Sequence, residues 1–158
     1  MIILAQVVLF KGLVLFGVGF CFIYLIVFLL LPKDVSPILQ LLLGFTTGLI
    51  IDTFYNSPGI HALVSTFMMY LRPYWITVLT PSGGYDIGTK MNVKAQGVQW
   101  FTSYALPLIF AHHLILFFVE ASGFRLFWLT LSKAFYSSLF TFIVVIIVQY
   151  LFTKRSRY

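Results

Sequence analysis

Apolar residues run through this chain in six long blocks separated by short polar or turn-forming breaks. Continuous blocks of this kind predict buried or membrane helices rather than alternating strands. The first block covers residues 2–10 and stops at Lys11-Gly12. The second runs over 16–31 and ends at Pro32-Lys33-Asp34. The third, 38–55, closes on Asn56-Ser57-Pro58-Gly59, a strong turn signal. The fourth starts at Ile60, and Pro73 bends or ends it before Tyr74. The fifth covers 100–119 with Pro107 as an internal kink, and the sixth covers 127–152. The pattern therefore predicts helices over 2–11, 16–31, 38–55, 60–79, 98–120 and 126–152 in one polytopic domain, 1–158. The first is short against the ~20 residues a bilayer needs, which suggests a missing start or burial by neighbours. The polar stretch 81–97 reads as an irregular cytoplasmic loop. Its Gly83-Gly84 has neither the spacing nor the preceding strand of a phosphate cradle.

Composition turns these helices into membrane helices. Hydrophobic residues make up 61% of the chain and charged residues 9%, and mean hydropathy is +1.02. Soluble domains carry about 25% charged residues. The expected fold class is thus all-α integral membrane protein, a compact bundle of six transmembrane helices with a short first one, since uninterrupted runs exclude a barrel. A net charge of +6 does not indicate nucleic acid, because the basic residues form no patch with interleaved aromatics. They sit at segment ends, as membrane orientation requires. With Lys154, Arg155 and Arg157 cytoplasmic, six spans place both termini inside. Lys33, Arg72, Lys90 and Lys94 then join that side, leaving Lys11 and Arg125 outside. Trp75, Trp100 and Trp128 lie near segment ends, where headgroup-level rings are favoured. Cys21 is the single cysteine, so no intrachain disulfide forms and no metal cluster is expected. Met1-Ile2-Ile3-Leu4 lacks the basic start of a cleavable signal.

The chemistry to weigh lies in the polar residues inside the apolar blocks. Asp52 ends the run Gly44-Phe45-Thr46-Thr47-Gly48-Leu49-Ile50-Ile51-Asp52, where a carboxylate is about 2.5–3.5 kcal/mol uphill in a bilayer. Gly44, Gly48, Asp52 and Asn56 recur every four residues and form one slowly drifting stripe. Glycines at that interval admit another backbone, so the acid is expected to face protein rather than lipid. Lys133 in the last block lies at a depth similar to Asp52 and Glu120, and the expectation is that it pairs with one of them. The alternative is that it snorkels along its aliphatic stem. His112 and His113 point about 100° apart and do not chelate one ion. His113 and Glu120 share a face but sit roughly 10 Å apart along the axis. His61, Ser65, Met68 and Arg72 form a stripe expected to pack against a neighbouring helix. No G-x-S-x-G elbow or H-E-x-x-H pair is present. The reading is therefore non-enzymatic, with no cofactor and no metal.

The segment 44–54, followed by Ser57-Pro58-Gly59-Ile60-His61-Ala62, resembles the G-x-x-x-G-L-x-x-D-x-F…x-x-G-x-H-A signature of the rod shape-determining protein MreD family. The resemblance continues through Tyr70-Leu71-Arg72-Pro73, Gly84-Tyr85-Asp86-Ile87-Gly88-Thr89, Trp100-Phe101, His112-His113-Leu114 and Phe117-Phe118-Val119-Glu120. It covers nearly the whole chain and looks closest to the Bacteroidetes-like form. Members usually carry additional residues before the stretch that begins here at Met1. The resemblance implies a non-catalytic inner-membrane scaffold of the cell-wall elongation machinery, the elongasome, which determines rod shape. Such a protein binds an MreC-like bitopic partner and connects, through it, to the MreB filament, RodA and a class B penicillin-binding protein. It also implies an architecture similar to the substrate-binding subunits of energy-coupling-factor vitamin transporters, which supplies the alternative function. A transporter subunit would enclose a polar-lined cavity of roughly 300–1,000 Å³. Structural or partner-docking candidates are Gly44, Gly48, Asp52, Asn56, Gly59, His61, Arg72, Pro73, His113, Glu120 and Lys133.

Overall fold

A computed structural model describes residues 2–15, 17–86, 88–124 and 126–152. Phe16, Ile87, Arg125 and the basic Lys154, Arg155 and Arg157, which entered the boundary, resemblance and orientation readings, lie outside the described residues. The protein is mostly helical. In chain order it has α1 (Ile2–Ala5), continued by a π-helical turn Gln6–Phe10, then a hairpin of β1 (Val14–Leu15) and β2 (Gly19–Phe20). There follow α2 (Leu25–Leu29), α3 (Pro37–Tyr55), α4 (Ile60–Val78), α5 (Val93–Gln96), α6 (Val98–Glu120) and α7 (Phe127–Phe152).

By length and composition, three of the described helices can cross a membrane: α3, α6 and α7. α4 is as long as α3, with 19 residues, but His61, Ser65 and Arg72 lower its hydropathy, and all three are buried. It packs chiefly on α3 and also against α6. Pro73 does not end it. The α3 start is set by Ser36, whose hydroxyl accepts from Leu39 N at 3.4 Å, with Pro37 preset for the first turn.

The second apolar block corrects the sequence reading, because 16–31 is not one helix. It forms the hairpin, an extended passage through Cys21 and Phe22, and only five residues of helix in α2. Non-helical backbone at membrane depth survives only where protein satisfies its polar groups. Here α7 does so. Phe20 N donates to Ser137 Oγ at 2.9 Å, and that hydroxyl donates to Val18 O at 3.3 Å. One turn further along, Phe22 N donates to Thr141 Oγ1 at 3.1 Å. Gln6 serves the other side of the passage, giving Nε2 to Cys21 O at 3.0 Å and accepting Tyr24 N on Oε1 at 3.3 Å. The passage is the centre of the core: Cys21, Phe22, Ile23, Tyr24, Leu25 and Ile26 are each at most 4% exposed. A hydropathy run cannot distinguish a chain sheathed by helices from a helix in lipid, since both are apolar throughout.

The loop 81–97 is tied down rather than free. Trp100 Nε1 donates to Tyr85 Oη at 2.9 Å, and Tyr85 Oη donates to Leu79 O at 3.0 Å. Lys33 Nζ reaches Tyr85 O, Asp34 accepts Gly88 N, and Val93 N donates to Gln149 Oε1 at 2.9 Å. Met91, within the stretch, is fully buried.

Candidate functional site

The α3–α4 corner gathers most of the candidate residues, and its geometry follows from two glycines. A Cβ on Gly48 would lie 2.4 Å from His61 O and 2.5 Å from Ala62 Cα; one on Gly44 would lie 2.8 Å from Ser65 O. The glycine stripe is therefore filled by α4 of the same chain, not left open for a partner's helix. Asn56 leaves the stripe: it caps α3 in the left-handed conformation (φ 53°) and gives its N–H to Asp52 O. Gly59 precedes α4 at φ 81°, a conformation that favours glycine, and its carbonyl accepts Leu63 N at 2.9 Å.

This close approach lets Asp52 close the start of α4. Its Oδ1 accepts His61 N at 2.9 Å and Ser57 Oγ at 2.7 Å, and Oδ2 accepts Ala62 N at 2.9 Å. A carboxylate on the free N–H groups of a helix start also meets the positive end of the helix dipole. His61 Nδ1 completes the set at 3.0 Å from Oδ1. It also lies 2.9 Å from Ser57 Oγ, whose hydrogen goes to Asp52. Both neighbours of Nδ1 thus act as acceptors towards it, so Nδ1 carries the proton. Asp52 is 5% exposed and filled by donors, which explains how an acid is held at this position.

Ser57, His61 and Asp52 superficially suggest a hydrolytic triad. In a triad the serine and the acid address opposite ring nitrogens, so that a proton can pass through the imidazole. Here both address Nδ1. The arrangement locks a turn and does not activate a nucleophile.

The expected pairing of Lys133 with Asp52 or Glu120 is not formed. Lys133 makes no ion pair with either, and its ammonium lies 5.9 Å over the Phe20 ring. For Asp52 the reason is that both of its oxygens are taken by the turn and the start of α4, at Ser57, His61 and Ala62. His113 and Glu120 are likewise separate. His113 Nδ1 donates to Ile109 O at 2.7 Å, and Nε2 meets Thr141 Oγ1 at 3.2 Å. His112 Nε2 pairs with Tyr24 Oη at 2.8 Å, and Tyr24 Oη is 3.2 Å from Ser65 Oγ. Among the described residues no cluster of three metal-ligating side chains occurs.

Arg72, one residue before Pro73, is fully buried. Its Nε donates to Tyr104 Oη at 2.7 Å, one terminal nitrogen to Gln40 Oε1 at 3.0 Å, and the other to Leu31 O. Tyr104 Oη passes its own hydrogen to Leu29 O at 3.0 Å. The cation thus sits at the C-terminal end of α2, where free carbonyls and the helix dipole favour positive charge. Sequence reading missed Gln6, Gln40, Tyr24, Tyr104, Ser137 and Thr141. An isolated amide in an apolar run carries the same signal as Asp52, and Ser137 and Thr141 stand four apart on one face of α7.

Beyond the corner, a cleft of about 200 Å³ is lined by Lys11, Phe20, Phe22, Tyr55, Ser57, Ile60, His61, Leu116, Phe117 and Glu120. Larger hollows, of about 320 and 450 Å³, lie on α7, one against α6 and one against the hairpin, and are almost wholly apolar. No protein-family model, curated protein or solved structure matches the chain.

Proposed function

We propose that this chain is a non-catalytic membrane scaffold of the bacterial cell-wall elongation machinery, the function implied by its resemblance to the MreD family. It sits in the inner membrane, binds an MreC-like bitopic protein, and through it connects RodA, a class B penicillin-binding protein and the MreB filament. The observation that carries this reading is how the signature residues are used. Gly44, Gly48, Asp52, Ser57, His61 and Ala62 interlock two helices. A signature devoted to rigidity suits a protein whose work is to present surfaces.

The transporter reading has less support. The polar cleft, at about 200 Å³, is below the roughly 300–1,000 Å³ of small-molecule sites, and the larger hollows lack converging polar groups. Because α4 fills the glycine stripe, a partner's helix has to dock on another face. The test is co-purification of the full chain with the MreC-like bitopic protein encoded in the same genome. Stable capture is the expected result. Failure of the well-folded chain to capture it at any detergent-to-lipid ratio would remove the scaffold reading.

A further inference from the structure

The hairpin has protein against one of its edges and nothing against the other. Along a strand, backbone N–H and C=O groups point alternately to the two sides. Val18, Phe20 and Phe22 point theirs at α7, where Ser137 and Thr141 bond Val18 O, Phe20 N, Phe20 O and Phe22 N. Val14 stands opposite Phe20 in the antiparallel pair. Since Phe20 turns its groups away from β1, the two residues are a non-hydrogen-bonded pair, and Val14 turns its own N–H and C=O out of the hairpin. No turn, loop or side chain among the described residues bonds either group. Val14 is 40% exposed, and β1 packs chiefly on β2.

This open edge lies at membrane depth. α7 is about 39 Å long at 1.5 Å per residue, and Ser137, level with Phe20, is about 15 Å from its start. A hydrocarbon core about 30 Å thick includes that level. Lipid offers no hydrogen bond there, and an open sheet edge is not tolerated against it. Beside the edge runs a groove of about 450 Å³, closed by the hairpin at Leu15 and Gly19 and by α7 at Tyr136, Leu139, Phe140 and Ile143. The α7 residues stand at i, i+3, i+4 and i+7, the spacing with which one helix meets another.

The occupant has to bring a donor and an acceptor into an apolar setting, as Ser137 and Thr141 do on the opposite edge. A second copy of this chain does not fit. From Phe20 to Phe22 the strand advances about 6.6 Å, and from Ser137 to Thr141 the helix advances about 6 Å, so the strands run along the membrane normal. Two copies inserted in the same sense would set their β1 edges parallel about a twofold axis. N–H would then face N–H, and C=O would face C=O.

We propose that the β1 edge and this groove dock the single transmembrane helix of the bitopic partner, with a hydroxyl or amide side chain of that helix bonded to Val14 N–H and C=O. The inference rests on the scaffold reading and adds to it the face and the chemistry of the contact.

The test is site-specific photocrosslinking in the full chain, co-expressed with the MreC-like bitopic protein. Benzoylphenylalanine replaces Tyr136 or Ile143 in the groove, and Leu49 or Tyr70 at exposed positions of α3 and α4. Crosslinks to the partner's transmembrane helix are expected from Tyr136 and Ile143 and not from Leu49 or Tyr70. Val14→Pro deletes the outward N–H without breaking a bond of the hairpin, since proline is tolerated on a strand edge. It is expected to weaken capture roughly three- to tenfold with an unchanged unfolding midpoint. Replacing the Ser, Thr, Asn and Gln residues of the partner's transmembrane helix by valine or leucine, one at a time, is expected to reproduce that loss at one position. Capture with crosslinks from Leu49 or Tyr70 alone, or with no loss in any partner variant, overturns the docking face and leaves the scaffold reading standing. Failure of the unaltered chain to capture the partner removes the scaffold reading, and this occupant with it.

Discussion

Replacing Gly48 by alanine tests the claim that one close approach holds the corner together. The added Cβ would lie 2.4 Å from His61 O, 2.5 Å from Ala62 Cα and 2.6 Å from Ala62 N. All three are backbone atoms, so no side-chain rotation relieves the overlap, which is roughly 1 Å inside ordinary contact. If α3 and α4 separate by that amount, the Asp52 bonds to His61 N and Ala62 N, both 2.9 Å, lengthen to about 3.9 Å and are lost. Overpacking costs about 1–3 kcal/mol, and each bond to a charged acceptor about 1.5–3 kcal/mol. The better helix propensity of alanine returns about 1 kcal/mol. The net loss is about 3–8 kcal/mol. Gly44→Ala is the internal control. Its Cβ would meet Ser65 O at 2.8 Å and the flexible Met69 side chain at 2.9 Å, with no carboxylate bond across the contact, so after the same helix-propensity gain about 0–2 kcal/mol is expected. Unfolding of both variants is followed by SDS titration in mixed micelles, together with amide exchange at His61 and Ala62. The reasoning fails if Gly48→Ala lies within 1 kcal/mol of the parent, or if Gly44→Ala is the more damaging change.

Four further outcomes follow from the polar contacts. Asp52→Asn turns an amide N–H₂ towards donors that Asp52 now accepts; it is expected to cost about 2–4 kcal/mol in the same titration, and an unchanged midpoint would refute the capping role. Arg72→Lys cannot reach Tyr104, Gln40 and Leu31 at once, so it should destabilise by about 2–4 kcal/mol, with Arg72→Met no worse than Arg72→Ala. Thr141→Val preserves shape but removes the acceptor of Phe22 N, predicting a loss of about 1–3 kcal/mol and faster exchange of that amide; Lys133→Gln, which breaks no ion pair, should stay within ~1 kcal/mol.

Much of the corner is legible from spacing alone. Gly44, Gly48 and Asp52 fall at four-residue intervals, and helical geometry puts them on one face wherever the helix packs. The same arithmetic separates His112 from His113. Spacing does not say which surface fills the stripe, and here it is α4, delivered by the four-residue turn after Tyr55. Lys133 shows the complementary limit. Similar depth suggested an ion pair, but depth along the membrane normal says nothing of rotation about a helix axis, and Asp52 points into α4.

The sequence by itself determined the class of the protein, because the bilayer penalises unsatisfied backbone so heavily that long apolar runs with few charges have one kind of solution. It also determined the bounds of α3, α4, α6 and α7 to within a few residues, since caps, turns and prolines act locally. Only the tertiary structure decided that the second block becomes a hairpin and an extended passage, for that choice depends on Ser137 and Thr141, more than a hundred residues away. Only the tertiary structure brought Lys11, His61 and Glu120 to one cleft. Those groups come from three separate segments, and their meeting is a consequence of packing that no local pattern encodes.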